Sequence, residues 1–182
     1  MSDTLITIVA ILLATILMFI FPLLSVSERS DDISQLSVQT ATAEFVDNSR
    51  TVGKITMDNY TKLVTTLAAT GNSYDIEMEV KVLDENIGKK SAWTQGTVIG
   101  ENVYYSVYTS QIVEVLEDRN GTYNSNGVYK MKEGDIFSVS VKNTNKTLSQ
   151  TIRGVFYSIS GSDVYTIAAQ HSGVVTANGS SY

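Results

Sequence analysis

The chain has no cysteine, one proline and one histidine among its 182 residues. The absent thiol excludes a disulfide scaffold, a cysteine nucleophile, a thiolate zinc site and an iron–sulfur cluster. A single imidazole excludes a histidine-rich metal site and any two-histidine mechanism. Basic residues are also scarce: Lys+Arg 13 against Asp+Glu 19 gives a net charge of -6 and a pI near 4.7. Affinity for phosphate backbones comes largely from a surplus of Lys and Arg, so no nucleic-acid partner is expected. Charged residues make up only 18%, low for a domain wholly in water, while 43% hydrophobic residues is too many for disorder.

What is present begins at Leu5. Through Leu24 the chain reads LITIVAILLATILMFIFPLL, twenty residues without a charge. At about 1.5 Å per residue, the run matches the roughly 30 Å hydrocarbon core of a bilayer. In lipid every backbone group must be paired locally, so the run is read as a transmembrane helix over residues 1–26. Pro22 falls near its downstream end, where a lost hydrogen bond does least harm. Thr7, Ala10 and Ala14 form a small-residue track that could allow close helix packing, although ordinary membrane-helix composition is the favoured reading of it. The run is longer than a signal-peptide core and follows the acidic Met1-Ser2-Asp3-Thr4, so a retained anchor is expected. Arg29 taken alone would place the following domain in the cytoplasm. The acidic, cysteine-free, Ser/Thr/Asn/Tyr-rich remainder argues for the outer surface, and an extracellular head is the expectation.

After the membrane run, Ile33, Leu36, Thr40, Ala43 and Asp47 recur at three- and four-residue steps, with Ala41, Phe45 and Val46 beside them. This predicts an amphipathic stem over 27–53, with Ile33, Leu36, Ala43 and Val46 on its packing face and Gly53 as its stop. Packing on the chain's own head is favoured over a subunit interface for that stripe. Thr56 caps a second helix through Leu63 and Leu67, ended by Thr70-Gly71-Asn72. Ile76, Met78, Val80 and Val82 then alternate with charged residues as a half-wet strand. Further strands are expected at 97–99, 103–108, 128–131, 136–141 and 164–175. Helices are expected at 110–117 and from Thr147 onward, and a loose tail from Asn178. The predicted class is α+β: a long membrane helix and stem, then a head at 54–182 with an antiparallel sheet of four to five strands and two or three short helices.

No chemistry-bearing motif survives inspection. Asp75, Glu77 and Glu79 share a strand face, which reads as solvated and edge-protecting rather than catalytic. Asp118-x-Asn120-Gly121 and Asn124-x-Asn126-Gly127 have their glycines too early for a calcium loop and are read as turns. Gly88-Lys89-Lys90-Ser91 lacks the upstream glycine of a phosphate loop, since Leu83 stands there. His171 is expected to be packed or partly exposed in a strand and not a base. Tyr104, Tyr105 and Tyr108 suit either a surface contact or a sheet wet on one side. No enzyme activity, cofactor or metal is expected.

The membrane helix, stem and small Tyr-rich head form a lollipop layout that resembles pilin-like and pseudopilin-like subunits of bacterial type IV and Tad-type envelope machines. Phe45-Val46-Asp47, Arg50, Gly53, Ile55, Tyr60, Leu63 and Thr70-Gly71-Asn72-Ser73-Tyr74-Asp75 look like membrane-anchored Gram-positive proteins linked with Tad-type pilus or secretion components. The resemblance implies a structural subunit or accessory whose partners are the lipid bilayer, copies of itself or platform proteins. Pilin precursors carry a basic leader ending in glycine, and typically a glutamate a few residues into the apolar run. Neither is found here, so processing by a prepilin peptidase is not implied. A membrane-anchored extracellular binding module using the Tyr-rich sheet is the alternative.

Overall fold

The structure, a computed structural model, describes residues 2–84, 104–118, 127–157 and 167–179. The expected strand at 97–99, the Asn-Gly turns at 120–127 except Gly127, and the start of the strand at 164–175 lie outside these residues. The architecture is α+β, as the residue pattern predicts. Helix α1 (Ser2–Val52) leads into β1 (Lys54–Thr56) and α2 (Met57–Ala68). Then come β2 (Tyr74–Leu83), β3 (Tyr104–Tyr108), α3 (Thr109–Glu117), β4 (Val128–Lys130), β5 (Ile136–Asn143), α4 (Leu148–Tyr157) and β6 (Ala168–Val174). A four-stranded antiparallel sheet has the order β3-β2-β5-β6, and β1 pairs with β4 in a separate two-stranded ladder. The short β1 falls where the residue pattern predicts no strand.

The apolar run and the stem are one unbroken α-helix, because no glycine and only Pro22 interrupts 51 residues. Gly53 ends it at φ +73, with its N–H on the Ser49 carbonyl at 2.9 Å. Only glycine fits: a Cβ there would collide with the Ala177 carbonyl. The Gly53 carbonyl accepts from Met131 N at 2.8 Å, and the Met131 carbonyl accepts from Gly179 N at 2.9 Å. Asn178 Oδ1 accepts from Glu133 N at 2.9 Å. The expected loose tail is therefore pinned as far as Gly179, because its backbone fills a gap left by two glycines.

Strand register puts Met78, Val80, Phe137, Val139, Val141 and Ala169 on one face, and all are buried. Against that face lies the second half of α1, with Phe45 edge-on to Phe137 at 5.8 Å between ring centroids. Thr56 Oγ1 caps α2 by accepting from Asn59 N, and Leu63 and Leu67 seat the helix. At the far end of the sheet, the buried Asp135 accepts from Leu83 N and Lys132 N, closing the β2 ladder and its own turn.

The packing face of the stem differs from the periodic stripe. Ile33 and Leu36 are each 65% exposed, Ala43 is half-buried, and Val46 is fully buried. The residues that meet the sheet and α4 are Ser27, Asp31, Ser34, Val38, Thr42, Phe45, Val46 and Ser49. Hydropathy misses this face because it is built largely of small polar residues. Ser27, Ser34 and Thr42 give their hydroxyls to the carbonyls four residues back, at 2.7–3.0 Å, and so pack as compact, satisfied knobs.

Candidate interaction surfaces

The first surface is the apolar half of α1. Exposure runs from Leu5 at 65% to Val26 at 68%, and the apolar window is buried nowhere by the rest of the chain. Thr7 and Thr15 donate to Asp3 O and Ile11 O, both at 2.8 Å, so neither hydroxyl needs water. Ala10, Ala14 and Pro22 are exposed on the same free helix. A helix of this length and composition is compatible with a single membrane span.

The second surface is a groove of about 370 Å³ between α1 and α2, whose floor includes Phe45 and Leu63 and whose rim includes Ile33, Leu36 and Thr40. Lys62 Nζ bridges its mouth to Glu44 Oε1 at 2.7 Å, with both side chains more than half exposed. Such an exposed pair contributes little to stability. Ile33 and Leu36 lie nearly half a turn round α1 from the face that packs on the sheet.

The third surface is the outer sheet face. Register opposes Glu79 to Tyr108, Lys81 to Ser106 and Leu83 to Tyr104, so Tyr104 and Tyr108 point with the charged residues. Tyr105 pairs with Val82 and points to the opposite face. The three tyrosines are each 41–58% exposed, but they do not form one patch. Asp75, Glu77 and Glu79 do share the outer face, opposite Lys142, Ser140 and Ser138. Glu79 Oε1 also accepts from Ser106 Oγ at 2.7 Å. Among the described residues, no three His, Asp or Glu side chains converge as metal ligands would.

Residues that sequence reasoning passed over join α1 to the rest of the head. Asp31 Oδ2 accepts from Thr147 Oγ1 at 2.7 Å and from Ser149 Oγ, all three residues being buried. Thr147 and Gln150 exchange side-chain and backbone hydrogen bonds, a capping box at the start of α4. Glu28 Oε1 accepts from Arg153 Nε at 3.0 Å and Nη2 at 2.6 Å. Gln35 clamps the backbone of Ala168, donating to its carbonyl at 2.6 Å and accepting from its N–H at 3.0 Å. The Thr-x-x-Gln spacing was readable as a helix start. The partners 116 to 133 residues away were not.

Titratable groups at these joints serve the fold. Arg50 Nε lies 2.7 Å from Asp47 Oδ1, and His171 Nε2 lies 3.3 Å from the same oxygen. The Arg50 hydrogen bond first, and that of His171 second, hold the Asp47 carboxyl below its usual range. His171 is thus a partly exposed strand residue with a carboxylate neighbour. Burial chiefly, with Tyr105 and Asp135 adding to it, pushes the Tyr129 phenol up to about 12. Burial also raises Tyr60.

Comparison with protein-family models, with curated proteins and with solved structures returns no match for this chain.

Proposed function

We propose that the chain is a single-pass membrane-anchored structural subunit or accessory of an envelope appendage or secretion machine, pilin-like in layout, with its head outside the cell. The observation that carries this reading is the geometry of α1. One continuous helix is bare over its apolar first half and becomes part of the head's core over its second half. A helix so exposed has to meet lipid or other helices. Its chemistry is contact: Ala10 and Ala14 allow close approach in the membrane, while Ile33, Leu36 and the α1–α2 groove offer apolar surface above it.

The test is cross-linking in native membranes. Single-cysteine variants Ala14→Cys, Ile33→Cys and Leu36→Cys are expected to form cross-linked homodimers or adducts with machine components. A Glu133→Cys variant, on a turn at the far end of the sheet, is expected not to. Monomers at every position would overturn the assembly reading, and a head resistant to protease on intact cells would overturn its outward orientation. The second reading, an anchored extracellular binding module, is favoured by Tyr104, Tyr108 and Val174, each at least 41% exposed on the outer sheet face. Charge reversal at Lys81 would abolish ligand capture under that reading and leave cross-linking intact.

A further inference from the structure

Along α1, Val26, Ile33 and Thr40 recur every seven residues, and Arg29 and Leu36 fall three residues after the first two. The same spacing extends back through Leu5, Ile8, Leu12, Thr15, Phe19 and Pro22. A step of 3.5 residues is so near the 3.6 of an α-helix that the series keeps to one side, drifting only about 20° per heptad. That side is bare: Leu5, Leu12, Phe19, Val26, Ile33 and Leu36 are 58–73% exposed.

The head leaves this side open. The residues that pack on the sheet lie nearly half a turn round, and the α1–α2 groove opens alongside Ile33, Leu36 and Thr40, so α2 does not cover them. Lipid covers the seam as far as Leu24. Ile33 and Leu36 stand about 14 and 18 Å beyond it, past a headgroup layer of about 5–7 Å. Val26 and Ile33 at one heptad position with Leu36 at the other is the pattern that favours two parallel strands. A bilayer supplies the rest of the geometry. Every copy of α1 crosses it in the same direction and at the same depth, so matching residues meet at matching height.

We infer that this seam seats a second copy of the chain, two α1 helices pairing in parallel and in register from the bilayer into the stem. The inference rests on the membrane-anchored assembly reading above and names its partner and contact. At about 100 Å² for each large side chain, the stem portion buries roughly 700 Å² over both copies, short of the about 1,200 Å² of a stable pair. The seam from Leu5 to Thr40 reaches roughly 1,800 Å², so the membrane and stem portions are both needed. Arg29 is the one charge in the seam, and Asp32, exposed one turn on at its flank, sets an opposite charge beside it on both helices. Ala10 and Ala14 fall on the far side of α1 from the seam and stay open to other neighbours.

The chain has no cysteine of its own, so single-cysteine variants report one position each. The full chain is reconstituted alone in phosphatidylcholine vesicles and oxidised with copper phenanthroline. Val26→Cys, Ile33→Cys and Leu36→Cys are expected to form disulfide-linked homodimers at several-fold higher yield than Ala14→Cys or Glu133→Cys. Val26→Cys mixed with Leu36→Cys should give no link between the two, because the positions stand about 15 Å apart along the helix. In the Val26→Cys background, Leu36→Glu and Leu36→Lys should each lower the yield several-fold, and the two reconstituted together should restore it. Leu36 is 65% exposed, so neither charge disturbs the head's own packing. Equal yields at all positions, or charge variants without effect, overturn the pair. Cross-linking at Ala14 alone overturns the pair and leaves assembly through another face standing. Leu36→Cys adducts with a different protein in native membranes, with no homodimer in vesicles, also overturn it. Monomers at every position in both settings overturn the pair and the assembly reading together.

Discussion

Asp31 is a sharp test of how the head is held to α1. Replacing it by alanine removes the acceptor of two buried hydroxyls, Thr147 Oγ1 at 2.7 Å and Ser149 Oγ, at the N-terminal end of α4. A hydrogen bond to a charged group contributes about 1.5–3 kcal/mol, and an anion at a helix N-terminus about 0.3–1 kcal/mol more. Both hydroxyls use one oxygen, so the second adds less than the first. The expected loss is about 2–4 kcal/mol, or a fall in Tm of roughly 5–15 °C for a chain of this size. Glu28→Ala is the matched control. It removes the same charge one turn away, but its pair with Arg153 is 38–40% exposed. Solvent screening limits that loss to about 0.5 kcal/mol. Asp31→Asn, which keeps one acceptor oxygen, should fall between the two. Thermal unfolding of the detergent-solubilised full chain measures the loss. Hydrogen exchange over 148–157 should show α4 opening before the sheet. An Asp31→Ala variant within about 0.5 kcal/mol of the parent, or no worse than Glu28→Ala, would refute the assignment of Asp31 as the latch.

Four further outcomes are open to measurement. Phe45→Ala should lose about 3–5 kcal/mol in denaturant unfolding, whereas Leu36→Ala, on the exposed side of the same helix, should stay within about 0.5 kcal/mol. Gly71→Ala meets nothing within 4 Å and should lose only the about 1–2 kcal/mol of a left-handed backbone, while Gly53→Ala adds a collision with Ala177 and should lose more. Asp47 has a depressed folded pKa, so its stabilisation is present above the ordinary value of 3.8 and fades as pH falls through the lower folded value. The stability gap between the parent and Asp47→Asn should therefore close in acid. The Tyr129 pKa, raised from 10.0 to about 12, carries the opposite sign. Its contribution is intact below pH 10.0 and lost toward about 12, and Tyr129→Phe should remove a late step from the phenolate absorbance titration.

Much of the head was legible because alternation and helical periodicity report one-sided burial directly. The two-residue period of 76–82 became β2, the cap at Thr56 opened α2, and Ile112 and Leu116 seat α3. The stem was harder. Ile33 and Leu36 are among the most apolar residues of α1 beyond Leu24, yet they face away from the sheet. The buried face instead uses Ser27, Ser34 and Thr42, whose hydroxyls their own helix satisfies. The tyrosines at 104, 105 and 108 were legible as exposed, but strand alternation had to be combined with register before their two faces separated.

Local chemistry decides whether a segment is apolar, periodic or broken. From it alone came the chargeless helix, its stop at Gly53 and the α+β class. The ties of Asp31 and Glu28 to α4, the Gln35 clamp on Ala168 and the pinning of the tail by Met131 depend on pairs far apart along the chain. Their energies arise only when two distant segments are desolvated together, so no window of neighbouring residues carries them.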